Sequence, residues 1–292
     1  MTGQTLRSFL QHAQGRFVQA GIAHDEAELD TELLAMHVLG WDPASLVTRW
    51  REPAPTGFAE RYAGLTARRE AREPTAYIVG AREFYGRLFE VTSACLVPRP
   101  ETEELVTAAL AIGDRLEAAP RIVDVGTGSG CVAVTLALEQ PRARIVATDV
   151  SADALALARV NAVRLGAAGV TFLRGSLVEA IRPPERSKGA EIGIIVSNPP
   201  YVPLRDREAL QPEVREFEPP QALFAGDDGL AVIRRLVQQA AAVLRSGGWL
   251  LFEIGAGQAA EVEALVDTRL WALRELRPDL QGTPRVAVLE RQ

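Results

Sequence analysis

The chain predicts an α/β fold, a mainly parallel sheet covered by helices, with a small all-helical domain ahead of it. Three observations carry this. From Arg121 onward, short apolar runs alternate with amphipathic stretches, the pattern of strand–helix–strand units whose sheet is covered on both faces. From Thr5 to about Glu73 the periodicity is helical throughout. Between them, Tyr77 to Val97 changes character and reads as short strands with turns, a connector. The expected boundaries are residues 1–75 for the helical domain, 76–97 for the connector and 98–292 for the α/β domain.

In the helical part, Leu6, Phe9, Leu10, Ala13, Phe17 and Val18 mark one apolar stripe, and Leu29, Leu33, Met36 and Leu39 a second. Asp25 is the expected cap of the second helix and Gly40 its end. Asp42-Pro43 has the form of a cap followed by the first residue of a short third helix. Thr56 is the expected cap of a fourth, running through Phe58, Tyr62 and Leu65 and stopping before Pro74. Such a domain suits a cap, a partner-binding module or a dimer surface equally well. In the connector, Tyr77–Gly80 and Phe84–Val91 read as strands. Pro98-Arg99-Pro100-Glu101-Thr102-Glu103 then opens a helix through Leu105, Ala109 and Leu110, and the helix macrodipole alone accounts for Glu101 and Glu103 in its first turn.

The α/β part begins with Arg121–Val125, a buried strand. It runs straight into Gly126-Thr127-Gly128-Ser129-Gly130 and a helix from Cys131 to Leu138. Strand, glycine turn and helix make a nucleotide-cofactor loop, because glycine lets backbone approach a ligand closely. A dinucleotide fingerprint needs a third glycine where Cys131 stands, so that fingerprint fails. The spacing suits a cofactor without a pyrophosphate, such as S-adenosylmethionine. The next strand, Ala143–Thr148, ends in Asp149, about 20 residues beyond the glycines, where an acid can bond a ribose diol. Asp149 could instead cap the following helix, but Ser151 is better placed to cap Ala152–Leu165. Further strands are expected at Val170–Leu173, Ile192–Val196 and Trp249–Glu253, with an amphipathic helix from Gly229 to Leu244 before Gly247-Gly248. Trp271–Leu276 and Arg285–Leu289 read as a closing antiparallel pair. Pro183–Gly189 is a polar loop with no evident role.

The most informative stretch is Ile195-Val196-Ser197-Asn198-Pro199-Pro200-Tyr201. A strand ends in a stiff bend that turns the Asn198 amide and the Pro199 carbonyl toward one small volume. Both accept hydrogen bonds, so a planar NH2 group held between them would turn its lone pair outward. That suits methyl transfer to an amide or amino nitrogen. Tyr201 reads equally as a wall for the flat group or as packing against the sheet edge. The glycine loop, Asp149 and Asn198 all fall at strand C-terminal ends, where such sheets bind ligands.

Bulk properties exclude several classes. The net charge is −6, no basic stripe is present, and Lys188 is the sole lysine, so a grip on duplex DNA or long RNA is not expected. The two cysteines, Cys95 and Cys131, provide neither a disulfide framework nor zinc spacing. The three histidines, His12, His24 and His37, all lie near the N-terminus, so chemistry beyond them works without imidazole, and no metal is expected. With no membrane-length apolar run and no signal pattern, a cytoplasmic location is the expectation.

Taken together these residues resemble the peptide-chain release factor glutamine methyltransferases, the HemK/PrmC family, over nearly the whole chain. The likeness rests on Tyr77–Gly80, Glu83-Phe84-Tyr85-Gly86, Pro98–Glu103, Asp124–Gly130, Asn198–Tyr201, Glu218-Pro219, Gly226–Leu230 and Glu253-Ile254-Gly255. It implies a class I, Rossmann-like, S-adenosylmethionine-dependent methyltransferase domain with a seven-stranded, mostly parallel sheet, joined by a β-hairpin to an N-terminal substrate-recognition domain. It implies methyl transfer to the glutamine of the Gly-Gly-Gln loop of class 1 release factors, leaving S-adenosylhomocysteine, with a monomer as the working form.

By the same resemblance, Gly126, Thr127, Gly128, Ser129 and Gly130 hold the methionine part of the donor and Asp149 its ribose, with Asp124 and Asn198 also among the donor-binding residues. Asn198, Pro199, Pro200 and Tyr201 hold the substrate amide, and Arg99, Glu101 and Thr102 line the pocket. Near the adenine edge, where relatives can carry an acid and an aromatic, this chain has Ser176-Leu177, so contact there would be by hydroxyl and aliphatic packing. Asn-Pro-Pro-Tyr also occurs in glutamine methyltransferases of a ribosomal protein and in adenine methyltransferases of nucleic acid. The intact Pro98–Thr102 segment favours the release-factor branch over the first, and the acidic composition speaks against the second. A nicotinamide oxidoreductase fails at Cys131, and the complete donor and acceptor motifs argue against a non-catalytic binding module.

Overall fold

The computed structural model describes residues 4–116, 118–181 and 191–292, so the polar loop Pro183–Gly189 and Lys188 lie outside the described residues. The chain forms two compact units. One comprises the chain through Ala81 together with Gln211–Phe217, and the other Arg82–Leu210 with Glu218–Gln292.

The first unit is built from helices Leu6–Gln19, His24–Leu39, Pro43–Arg49, Phe58–Glu70 and Thr75–Val79, with Pro212–Phe217 returning from far along the chain. Thr5 caps the first helix, and Asp42 caps the third by accepting from the Ser45 amide at 2.7 Å, with Pro43 in the first turn as expected. Two expected caps are corrected. Asp25 lies inside the first turn of its helix, which starts at His24 after Ala23. The fourth helix starts after Gly57, whose left-handed φ of 79° a threonine could not supply cheaply.

The second stripe also shifts. Leu29 is 52% exposed, and the buried face is Ala27, Leu34, Ala35 and Val38 with Asp30 and Thr31. Apolar residues surround this helix on most sides, so periodicity alone could not choose its face. In the first stripe Val18 stays exposed at 41% while Leu6, Leu10, Ala13 and Phe17 are buried. Tyr77–Gly80 is not a strand. It belongs to the helical turn Thr75–Val79, entered at Pro74 and ended by left-handed Gly80, with Ile78 in the helical core.

Asp30 is buried because Arg69 is. Arg69 is 1% exposed. It donates from Nε to Asp30 at 2.5 Å, from Nη1 to Glu213 at 2.7 Å and from Nη2 to Glu26 at 2.9 Å. Arg72 donates to the other Glu213 oxygen at 2.6 Å. Burial pushes the Glu213 carboxyl up, but the bonds from Arg72 and Arg69 outweigh it and hold the group below its ordinary value.

A hairpin follows, β1 (Ala81–Phe84) and β2 (Arg87–Glu90), which belongs to the second unit from Arg82 onward. Its two turn residues, Tyr85 and Gly86, both have positive φ, 52° and 70°, which matches the twist of paired strands. Their amides donate to Glu103 at 2.8 Å and Glu83 at 2.6 Å.

Seven strands follow: β3 (Arg121–Val125), β4 (Arg144–Asp149), β5 (Thr171–Arg174), β6 (Ile192–Ser197), β7 (Leu244–Glu253), β8 (Trp271–Pro278) and β9 (Pro284–Arg291). They form one sheet in the order β5-β4-β3-β6-β7-β9-β8, with β9 antiparallel to both β7 and β8 and the other pairs parallel. Alternation assigns Ile122, Ile145, Ile194, Val196 and Leu251 to one face, under helices Glu103–Gly113 and Cys131–Glu139. Val123, Val125, Val146, Ile195, Leu250 and Phe252 take the other, under Ala231–Val243. Burial on both faces explains why β6 reads as a nearly continuous apolar run and why β3 does so but for its buried Asp124. Among the described residues no helix is long and apolar enough to cross a membrane.

Replacing Arg69 with Met should cost about 3–5 kcal/mol, because Asp30 would be left buried without its cation and Glu213 would keep only Arg72. Denaturant unfolding would show it as an earlier first transition. An unshifted transition would mean that the two acids do not depend on Arg69.

Candidate active site

The site follows from the register of two strands. β3 and β6 run parallel with Val125 opposite Ser197, so the residues that leave them, Gly126 and Asn198, emerge side by side. The Ser197 hydroxyl donates to the Val125 carbonyl at 2.7 Å and fastens the two ends. A Cβ on Gly126 would sit 4.0 Å from the backbone carbonyl oxygen of Asn198. On the other side of β3 lies β4, with Thr148 opposite Val125, and it ends at Asp149. The chain turns one way from β3 to β4, while β6 adds on the opposite side. That reversal opens a crevice at the strand ends.

One cavity there is lined by Asp124, Gly126, Thr127, Gly128, Ser129, Asp149, Ser176, Leu177, Asn198, Pro199, Pro200 and Thr102, among others. Residues the sequence singled out in five separate stretches thus share one wall. Gly130, Tyr201, Arg99 and Glu101 are not on it.

The glycine turn is held from beneath. Asp124 is buried, and its Oδ2 accepts from the Thr127 hydroxyl at 2.6 Å and the Ala133 amide at 3.2 Å. Burial drives its carboxyl up to about 7. Gly126 and Gly128 take left-handed φ values of 75° and 55° and expose backbone to the cavity. Gly130 has a different task. A Cβ there would meet the Ala158 Cβ at 3.0 Å and its Cα at 3.3 Å, so this glycine lets the helix Ala152–Leu165 pack close. The close-packing glycine therefore precedes Cys131, the position where the dinucleotide pattern would have it.

Asp149 accepts from the Gly128 amide at 2.9 Å through Oδ2 and from the Ser151 amide at 2.8 Å through Oδ1. Ser151 is the helix cap, accepting from the Ala154 amide at 3.1 Å. Each Asp149 oxygen accepts one of these bonds and has capacity for another, and Asp149 lines the cavity, chemistry that suits a ribose diol. Ser176 and Leu177 lie alongside. The Ser176 hydroxyl accepts from Arg235 at 3.2 Å, and the carbonyl of Leu177, at φ 51°, accepts from Thr148 at 3.0 Å. Aliphatic Val150 and Leu177 provide flat apolar surface beside that carboxylate. Glycine backbone, diol acceptor and apolar wall together fit S-adenosylmethionine.

On the opposite side, Asn198 Nδ2 donates to Thr102 Oγ1 at 3.0 Å, and Thr102 Oγ1 donates to Glu253 Oε2 at 2.6 Å. The Tyr201 hydroxyl donates to Glu253 Oε1 at 3.0 Å, and the Tyr201 carbonyl accepts from Gln258 at 3.0 Å. Its ring packs with the apolar layer that contains Phe252 and Ile254, which supports the sheet-edge reading of this residue. Burial, with the Glu253 charge beside it, pushes the Tyr201 phenol up. Arg99 reaches buried Glu218 with bonds of 2.7 and 2.9 Å, which bracket the loop ahead of cavity-lining Pro219. Glu101 is exposed.

The sequence reading gave no role to Glu253. Its signal was an acid closing an apolar strand, Leu250-Leu251-Phe252-Glu253, at the same sheet edge as Asp149 and Asn198. Cys95 and Cys131 also line the cavity, and burial drives their thiols up to about 11 and about 12, so neither is a ready nucleophile. Among the described residues no three His, Cys, Asp or Glu side chains gather as a metal site.

Two family models match the chain: the PrmC N-terminal domain over residues 8–80, and the methyltransferase small domain over residues 106–214. A release factor glutamine methyltransferase of Cereibacter sphaeroides is 45% identical over 277 residues, 95% of this chain and 95% of that protein. One from Koribacter versatilis is 44% identical over 260 residues, 89% of this chain and 90% of its own length. Among solved structures, human methyltransferase 10 domain containing protein has a TM-score of 0.51 at 16% identity, over 72% of this chain and 90% of that one, a likeness of fold alone. With paired strands that bring a glycine turn against Asn-Pro-Pro-Tyr, and with relatives this similar over nearly their full length, the chain belongs to the release factor glutamine methyltransferase family.

Proposed function

We propose that this protein transfers a methyl group from S-adenosylmethionine to the side-chain amide nitrogen of the glutamine in the Gly-Gly-Gln motif of class 1 release factors. The observation that carries the reading is Asn198. It stands on the wall of the cavity beside the glycine turn, with its own NH2 engaged by Thr102 and its carbonyl oxygen left to accept.

An amide nitrogen is a poor nucleophile because its lone pair is delocalised into the carbonyl. The donor, when bound, supplies a methyl group on a good sulfonium leaving group. The chain's own residues must therefore supply alignment more than acid–base power, and holding reactants in a near-attack geometry can contribute ~7–11 kcal/mol in favourable cases. Asn198 Oδ1 and the Pro199 carbonyl would take the two hydrogens of the substrate amide, favour a pyramidal nitrogen and stabilise positive charge growing there. Pro199 and Pro200 stiffen the bend, so that these acceptors need little reorganisation. Asp149 would hold the donor ribose and the Gly126–Ser129 backbone its methionine part. The surplus proton passes to water, which agrees with a site that has no histidine.

Residues 1–75 would recognise the body of the release factor, with 76–97 as connector and 98–292 as the transferase. The protein would act as a monomer in the cytoplasm, without metal and without direct contact to nucleic acid.

Mixing the protein with a purified class 1 release factor and donor should add one methyl to the Gly-Gly-Gln glutamine, located by mass spectrometry. A methyl found elsewhere, or none, sinks the assignment. Asn198→Ala should lower turnover by roughly 100-fold or more while donor affinity stays within a few-fold. Near wild-type turnover in that variant would remove the amide clamp. Asp149→Asn keeps the shape but loses the charge and one of the two acceptor oxygens. Donor affinity measured by calorimetry should fall about 10-fold or more, and unchanged affinity would dismiss the ribose role.

A further inference from the structure

Glu253 is the last residue of β7 and is 1% exposed, in a place where a charge needs a reason. Two hydroxyls approach it, Thr102 Oγ1 at 2.6 Å on Oε2 and Tyr201 at 3.0 Å on Oε1. A hydroxyl carries a single hydrogen. With that hydrogen directed at the carboxylate, Thr102 can meet Asn198 only as an acceptor, and it does so from Nδ2 at 3.0 Å. The relay therefore runs one way, from the Asn198 NH2 to Thr102 to Glu253. The other end of the amide, Oδ1, accepts no hydrogen bond among the described residues, and Asn198 lines the cavity.

We infer that Glu253 is a positioning residue whose carboxylate, acting through Thr102, determines which end of the Asn198 amide is offered to the substrate. The inference rests on the proposed role of Asn198. A neutral group at this place reverses the relay. It can donate to Thr102, the Thr102 hydrogen is then free for the Asn198 carbonyl, and the flipped amide turns its NH2 toward the substrate NH2, where two donors repel. Amide O and NH2 have nearly the same size, so packing cannot make this choice, and only the direction of the hydrogen bonds can.

The groups facing Glu253 set when it is charged. Burial pushes its carboxyl above the ordinary value. The Thr102 and Tyr201 hydroxyls pull it back, while Glu101 raises it and Arg285 lowers it. A raised acid is protonated first as pH falls, so the correct amide orientation is present at high pH and is lost as pH drops through that raised value.

Three variants in the full-length protein test this. Glu253→Gln and Thr102→Val should each lower kcat about 100-fold, with KM changed little, donor affinity within three-fold and thermal unfolding retained. Thr102→Ser, which restores the hydroxyl, should recover kcat to within about three-fold of wild type. As pH falls, kcat of the wild type should drop more than kcat of Glu253→Gln, in which only Asp124 still titrates beneath the glycine turn. A wild-type kcat in Thr102→Val, an unrecovered Thr102→Ser, the same pH profile of kcat in the wild type and Glu253→Gln, or a loss of donor affinity matching the loss of kcat would each overturn the positioning role.

The side-chain amide signal of Asn198 in nitrogen-15 NMR, identified by its loss in Asn198→Ala, reads the relay without any methyl transfer. It should move in Glu253→Gln and Thr102→Val and stay in Thr102→Ser. An unmoved signal overturns the relay even if the protein methylates release factor. A moved signal in a protein that methylates no release factor supports the relay and condemns the substrate assignment instead.

Discussion

The site depends on the pairing of β3 with β6. Val125 lies opposite Ser197, and both strands end there, so a turn built for a donor and a bend built for an acceptor leave the sheet side by side. A slip of one residue in a strand would send each side chain to the opposite face. The apolar contacts on both faces of β3 and β6 make such a slip expensive, since Ile122 and Ile194 serve one layer and Val123, Val125 and Ile195 the other. The hydrophobic core thus sets the distance between the two loops.

Buried polar groups do the finer work. Asp124 holds the glycine turn through Thr127 and Ala133, Asp149 joins that turn to the next helix, and Glu253 collects Thr102 and Tyr201. Each bond fastens a loop to a strand end, where the backbone has no sheet partner to stiffen it. Groups of this kind cost free energy to bury unless they are fully partnered, and such networks then restrict the loops they touch. The helical unit uses the same device, with Arg69 gathering Asp30, Glu26 and Glu213 around one guanidinium. There the network ties a distant segment, Gln211–Phe217, to helices near the start of the chain.

Local chemistry made much of this legible in advance. The Asp42-Pro43 cap, the Ser151 cap, the helix Ala152–Leu165, the strand Arg121–Val125 and the closing antiparallel pair all follow from signals that act over a few residues. The failures, Asp25, Thr56, the face of helix His24–Leu39 and the supposed strand at Tyr77–Gly80, were choices between near-equals. Arg69 drew Asp30 inward, and a left-handed Gly57 began the helix that a threonine was expected to cap.

By itself the sequence determined the fold class, the donor loop, the acceptor bend and the family, because each is written in contiguous residues whose backbone geometry is locally enforced: glycines free to take positive φ, prolines that stiffen a turn, apolar runs that must be buried on two faces. Only the tertiary structure decided that Gly130 serves helix packing, that the Tyr201 hydroxyl reaches a carboxylate, and that Thr102 stands between Asn198 and Glu253. Those residues are 96 and 151 positions apart from Thr102 along the chain. A hydrogen bond at such separation leaves no periodicity and no spacing to read, and exists only once the sheet has brought its strand ends together.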